Sequence, residues 1–244
     1  MNNTSAITIT NNGKSRPFYF RPQDKGDLGA IRQVLEMQDY NLDHFAQGVL
    51  LRDWAQKQKS PLVIIDAGAH IGTATIWYSM QFPGTRIIAV EPEDSNFDLL
   101  RKNLEGAVGV TLVHGAIGSY DGTGFLSDPG HDSWGFRVAS VAPGTLLTDV
   151  PVDMHTMRSL LKMEPDCVPF IAKIDIEGGE RDLFSHNAEW LLSFPLIIIE
   201  LHDWMLVGQA SSRNFLQAIS VLGSFDIICR GENMFCFNNA LLGG

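Results

Sequence analysis

Five short, mostly apolar runs set the strongest limit on what this chain can fold into: Leu62–Ile65, Arg86–Val90, Val110–Val113, Phe170–Ile176 and Leu196–Leu201. A strand wetted on one face alternates apolar and polar residues, whereas near-continuous apolar runs suit strands covered on both faces, as in a parallel sheet. Helical spacing fills the gaps, most clearly over 94–104, where Asp94 or Ser95 can cap and Phe97, Leu100 and Leu104 form one stripe. Strand and helix in alternation predict an α/β, Rossmann-like, doubly wound and mostly parallel sheet. At the far end Ser212 can cap a helix with Phe215, Ile219 and Leu222 inward. Phe225–Cys229 and Met234–Phe237 then flank a turn at Gly231-Glu232-Asn233 and read as an antiparallel C-terminal hairpin.

The expected organisation is a single domain over residues 1–244, with an N-terminal cap at 1–60 and the core at 61–244. Residues 1–16 are polar and aperiodic and read as a frayed or weakly paired segment. Phe18-Tyr19-Phe20 suits a strand, and Leu42, Phe45, Val49 and Leu50 recur at helical spacing. Residues from about 115 to 155 are too long for an ordinary connection and predict an inserted hairpin or lid, with His131-Asp132-Ser133-Trp134-Gly135 as a segment able to cover a ligand.

The formal charge of −10 and the lack of any Lys/Arg run argue against nucleic-acid binding and favour a small-molecule substrate. No apolar run approaches the roughly 20 residues that span a bilayer, and no charged-then-apolar leader is seen, so the expected location is cytoplasmic without membrane association. Cys167, Cys229 and Cys236 match neither a disulfide framework nor a zinc ligand set, and read as reduced thiols. The oligomeric state is left open.

After the first apolar run comes Asp66-Ala67-Gly68-Ala69-His70-Ile71-Gly72, at the carboxyl edge where such sheets bind ligands. Its spacing is D-x-G-x-x-x-G rather than the dinucleotide G-x-G-x-x-G. A pyrophosphate beside Asp66 would be repelled, whereas S-adenosyl-L-methionine has no phosphate and carries a sulfonium and an ammonium group. Gly68 and Gly72 allow close backbone approach, and the following helix start offers N–H groups to a carboxylate. Glu91 closes the second run, 25 positions after Asp66, near the spacing at which an acidic residue meets ribose hydroxyls. Ala116 and Ile117 follow the third run and leave room for adenine.

The fourth run ends Lys173-Ile174-Asp175-Ile176-Glu177-Gly178-Gly179-Glu180, and an extended strand would set Lys173, Asp175 and Glu177 on one face. Lys173 equally suits a purely neutralising role beside the carboxylates. The fifth run ends Glu200-Leu201-His202-Asp203-Trp204. Methyl transfer to a hydroxyl needs a proton acceptor, for which Asp175 and His202 are the leading residues and Glu177 a third. Asp175, Glu177 and Glu200 also offer hard oxygen atoms to a divalent metal, but no convergence is visible in the sequence and a metal-free site is favoured.

These residues together resemble the FkbM-type methyltransferases, a branch of the Rossmann-like adenosylmethionine-dependent enzymes. The likeness runs from about residue 62 to about 204 and rests on Val63–Gly72, Val90-Glu91-Pro92, Ile174–Glu180 and Ile198-Ile199-Glu200. His70 stands where Asn is common in that family, as does Gly179 where Ala is common. The resemblance implies a class I methyltransferase-like fold and O-methylation of a sugar or other small-molecule hydroxyl, with cofactor contacts from Asp66, Gly68, His70, Gly72, Glu91, Ala116, Ile117 and Asp175. Two other readings compete: a nicotinamide-dependent (NAD) oxidoreductase, disfavoured by the missing glycine fingerprint, and a non-catalytic adenosylmethionine-binding protein of the same fold.

Overall fold

A computed structural model describes residues 4–11, 14–127, 137–139 and 150–243. The chain opens with an antiparallel hairpin, β1 (Ser5–Asn11) and β2 (Lys14–Phe20), where the polar sequence had suggested a weakly paired end. Helix α1 (Lys25–Ile31) follows and runs on through a π turn at Arg32–Glu36, then α2 (Ala46–Gln56). The core begins with β3 (Leu62–Ala67), α3 (Thr73–Gln81), β4 (Arg86–Glu91), α4 (Asp94–Asn103) and β5 (Val110–His114).

The insertion contains β6 (Ala116–Ile117), β7 (Gly122–Ser127), β8 (Arg137–Ala139) and β9 (Val150–His155). The core resumes with α5 (Met157–Leu161), β10 (Val168–Ile174), α6 (Glu180–Leu183) and β11 (Leu196–Glu200). It closes with α7 (Arg213–Leu222), β12 (Phe225–Arg230), β13 (Asn233–Asn238) and α8 (Asn239–Leu242).

The main sheet has seven strands in the order β5-β4-β3-β10-β11-β13-β12, parallel from β5 to β11 and antiparallel for the closing hairpin. This is the doubly wound architecture with an antiparallel C-terminal hairpin. The order reverses between β3 and β10, which opens a crevice at the carboxyl ends of those strands.

Strand alternation distributes the core. Val63, Ile65, Ala67, Ala172, Ile174, Ile197 and Ile199 face α5, α6 and α7, where they meet Leu160, Leu183, Phe215 and Ile219. Ile64, Ile171 and Ile198 face the opposite way, onto Leu51 of α2 and Trp77 and Tyr78 of α3. Phe215 is completely buried, so Phe215→Ala belongs to the class of truncations that cost about 3–5 kcal/mol.

Several local expectations are corrected. Leu42 lies in a separate 3-10 turn before α2, and the inward residue of α2 is Leu51, while Val49 and Leu50 are exposed. Helix α4 is capped by Glu93, whose carboxylate accepts from the Asn96 N–H, rather than by Asp94 or Ser95. Ser212 holds the first position before α7 but makes no side-chain capping bond among the described residues; Asp203 accepts from the Ser211 hydroxyl instead.

The insertion is more than a hairpin. Its strands form a separate four-stranded sheet, in the order β6-β9-β7-β8. His131–Gly135 lies outside the described residues. Cys229 is exposed and Cys236 buried, and both are free. No helix of the described residues is long and apolar enough to cross a membrane.

Candidate functional site

A cavity of about 370 Å³ opens at the crevice where the strand order reverses. Its floor is the set of turns that leave β3, β4, β5, β10 and β11: Gly68 to His70, Glu91, Gly115 to Ile117, Asp175 to Glu177, and Glu200. The N-terminal cap supplies another wall through Lys25, Gly29, Gln33 and Tyr40. The insertion contributes Met154.

Asp66 does not line this cavity. Alternation along β3 turns its side chain towards α3, where Thr75 Oγ1 donates to Oδ2 at 2.6 Å. Lys173 is its cross-strand neighbour on β10, with Nζ 3.3 Å from Asp66 Oδ1, 3.5 Å from Asp175 Oδ2, and donating to the Gly68 carbonyl at 2.7 Å. Burial alone would push the Lys173 ammonium down, yet the Asp66 and Asp175 carboxylates hold it above its ordinary range. Neutralising the carboxylates is therefore one thing that Lys173 does here.

Gly68 and Gly72 both have positive φ, at +76° and +92°. A Cβ on Gly68 would fall 1.7 Å from the Asp175 carbonyl oxygen, so only glycine permits this packing. Gly72 lies outside the cavity and packs on Leu100 of α4, where an added Cβ would meet the Leu100 side chain at 2.9 Å.

His70 also has positive φ, in the left-handed region that Asn, Asp and His enter more readily than most residues. Its backbone N–H donates to Glu91 Oε2 at 2.8 Å, and its ring Nε2 lies 3.2 Å from Asp27 Oδ1. Asp27 also accepts from the Arg21 backbone N–H (2.6 Å), Nε (3.0 Å) and Nη2 (2.7 Å). Burial raises the Asp27 carboxyl, but the hydrogen bonds from His70 and Arg21 outweigh it and bring it down to about 2. Arg21 continues to Ser95 Oγ and Asn96 Oδ1, tying the cap to the start of α4.

Glu91 is buried at the end of β4 and accepts from the N–H groups of His70 and Glu93 and from the Asn96 amide. Burial raises its carboxyl pKa against the opposing pull of these partners. Ala116 and Ile117 form the short strand β6, whose backbone is engaged with Met154 and His155 of β9, while both residues border the cavity.

The reacting end departs from the extended geometry expected of it. Strand β10 stops at Ile174 and Glu177 turns to φ +50°, so Lys173, Asp175 and Glu177 do not share one strand face. Asp175 and Glu177 nevertheless both line the cavity, and Glu200 joins them from β11.

His202 lies behind them, 1% exposed and not part of the cavity wall. Its Nδ1 is 2.7 Å from Glu180 Oε1, and its Nε2 is 3.4 Å from Glu177, 3.5 Å from Glu200 and 3.6 Å from Asp175. Burial lowers the imidazole pKa, but the surrounding carboxylates, Glu180 first, more than reverse this and raise it to about 11. Burial and the neighbouring Asp175 push the Glu177 and Glu200 carboxyls upward.

Sequence reasoning missed the cap residues of this site. Asp27, Arg21 and Gln33 are ordinary surface types in a region of weak periodicity, and only folding sets them against the Gly68 loop. The π turn that places Gln33 and Val34 beside the cavity has no recognisable sequence signal.

A sequence profile described as the methyltransferase FkbM domain matches residues 66–224. Methyltransferase 1 of Beauveria bassiana (strain ARSEF 2860) is 24% identical over 163 residues, covering 57% of this chain and 64% of the relative, so the chain spans less than two thirds of that protein. Among solved structures, a putative O-methyltransferase from Klebsiella pneumoniae is 16% identical, covers 86% of this chain and 89% of its own, and superposes with a TM-score of 0.45. Precorrin-6y C5,15-methyltransferase from Geobacter metallireducens GS-15 is 15% identical with coverages of 77% and 84% and a TM-score of 0.40. The profile spans the glycine loop, the buried acid of the second strand and the acidic ends of β10 and β11, and the chain belongs to the FkbM-domain methyltransferases.

Proposed function

We propose that this protein transfers a methyl group from S-adenosyl-L-methionine to a hydroxyl of a small-molecule acceptor. The observation that carries the reading is the charge of the cavity wall. Glu91, Asp175, Glu177, Asp182, Glu200 and Glu232 line it, against Lys25 and a Lys173 already committed to Asp66 and Asp175. Such a wall attracts a sulfonium and an ammonium and repels a pyrophosphate, which disfavours the nicotinamide alternative. The residues fit the cofactor: Gly68 to His70 offer close backbone approach, Glu91 an acidic partner for ribose hydroxyls, and Ala116 and Ile117 a small apolar surface.

The cofactor supplies an electrophilic methyl group on sulfur. The chain's contribution is to hold the acceptor in line with it, exclude water and receive the hydroxyl proton. Asp175 and Glu177 border the cavity and are the residues assigned to the acceptor. Asp66 acts at one remove, through Lys173 and the Gly68 carbonyl, and Gly72 through the packing of α3 against α4. His202 is a positioning residue for the carboxylates around it.

Calorimetry with adenosylmethionine and its demethylated product tests the reading. Both are expected to bind, NAD is not, and labelled methyl transfer to hydroxylated acceptors follows. Failure of both adenosyl ligands to bind overturns it, and binding without transfer to any acceptor favours the non-catalytic alternative.

A further inference from the structure

The hydrogen bond between His202 Nδ1 and Glu180 Oε1 fixes the orientation of the ring. Glu180 is fully buried and also accepts from the Gly178 N–H, so it is fixed in place. With the Nδ1 proton donated to that carboxylate, Nε2 is the ring nitrogen turned towards the other acids, and it offers a lone pair to a cation that displaces its proton. Among the described residues no hydrogen bond reaches Nε2, although the ring is 1% exposed.

What faces this nitrogen is carboxylate oxygen: Glu177 Oε2 at 3.4 Å, Glu200 Oε1 at 3.5 Å and Asp175 Oδ1 at 3.6 Å. Charge-assisted hydrogen bonds close to about 2.7–2.9 Å, and these contacts stop short of that. Neighbouring ligands around a cation with bonds of about 2.1 Å are separated by about 3 Å, which is close to the spacing found. One ligand atom each from Asp175, Glu200 and His202 lies within 4.8 Å of the other two. Lys173 takes the far oxygen of Asp175, Oδ2, and leaves Oδ1 to the group.

We propose that Asp175, Glu200 and His202 bind a divalent first-row cation, with Glu180 orienting the imidazole. The pattern of an imidazole that ligates through one nitrogen and donates through the other to a carboxylate is a general property of metal-bound histidine. Two oxygens and one imidazole nitrogen suit Mn²⁺ or Fe²⁺ better than Mg²⁺, which takes oxygen ligands and water almost exclusively.

Three protein ligands leave coordination positions vacant, and Asp175 and Glu200 border the cavity, so an acceptor bearing two neighbouring oxygens can reach them. That role in acceptor binding rests on the proposed methyl transfer; the cation site itself does not.

The test is titration of Mn²⁺ into the chelator-treated full chain, followed by the electron paramagnetic resonance signal of free Mn²⁺ and by calorimetry, without cofactor. One Mn²⁺ per chain is expected, with affinity falling more than 100-fold in Glu200→Gln and in Asp175→Asn and 10- to 100-fold in Glu180→Gln. These near-isosteric changes are preferred because His202→Ala would remove a buried ring.

Absence of stoichiometric binding at millimolar Mn²⁺, or binding unchanged in both Glu200→Gln and Asp175→Asn, overturns the site. Binding of the demethylated cofactor, measured in parallel with chelator present, separates the two ideas. Its retention without Mn²⁺ binding rejects the metal alone, and its loss with Mn²⁺ binding intact rejects the methyl-transfer reading alone.

Discussion

Two buried ionic clusters border the same cavity, and they are built on opposite principles. At Arg21–Asp27–His70 a single carboxylate is met by a permanent cation, a backbone N–H and an imidazole, so charge and hydrogen bonds close on themselves. At His202 a single imidazole faces Asp175, Glu177, Glu180 and Glu200. Clusters of the first kind hold a structure together. Those of the second kind store a charge imbalance that folding alone does not reward, and such sites tend to mark function.

The largest expected effect breaks the balanced cluster. Arg21→Leu leaves the buried Asp27 without its permanent cation and is expected to destabilise the protein by about 3 kcal/mol, read from urea unfolding. A loss below about 1 kcal/mol would mean that the cluster is not what fastens the cap.

Acid probes the same pair. The Asp27 carboxyl is held at about 2 in the folded chain against an ordinary value of 3.8, so its contribution is fully present above that ordinary value. It is lost as pH falls through about 2, and amounts to about 2 kcal/mol. Unfolding midpoints compared between wild type and Asp27→Asn from pH 5 to pH 2 should converge as the pH drops, and parallel curves would refute the assignment.

Glu91 accepts from the His70 N–H, and its change to Gln removes charge and keeps shape. Adenosylmethionine affinity is expected to fall about tenfold, near 1.4 kcal/mol, by calorimetry. Unchanged affinity would remove Glu91 from the cofactor end.

The smallest effect has the opposite sign. Glu177→Gln relieves repulsion in the acid-rich cluster and is expected to raise the stability of the ligand-free chain by about 1 kcal/mol while slowing methyl transfer at least tenfold. A loss of stability would show that this cluster is as structural as the other.

What the sequence could convey divides along similar lines. The sheet was legible because burial on both faces leaves continuous runs such as Leu196–Glu200, and the ends of those runs marked the cavity. Glu91, Asp175 and Glu200, at or just past those ends, all line the cavity. Asp66 was read as facing the ligand because of its place in the motif, but the pleat of β3 sends its side chain to α3. The turn at Glu177 and the burial of His202 depend on how α6 and the 200–204 segment pack, which no local pattern records. The cap was least legible, since Arg21 and Asp27 gain meaning only from partners far along the chain, as Arg21 does from Asn96.

The contact between Gly68 and the Asp175 carbonyl has a consequence for how such an enzyme can diversify. The loop proposed to hold the cofactor and the strand end proposed to meet the acceptor are butted backbone to backbone, like two parts of a gauge with no shim between them. On the proposed reading, in-line transfer between atoms about 3 Å apart tolerates little drift, and this abutment, with Lys173 bridging the Gly68 carbonyl and Asp175, holds the spacing. New acceptor preferences can then arise by remodelling the cap and the insertion, which form the other walls, while the reach of the transfer stays the same.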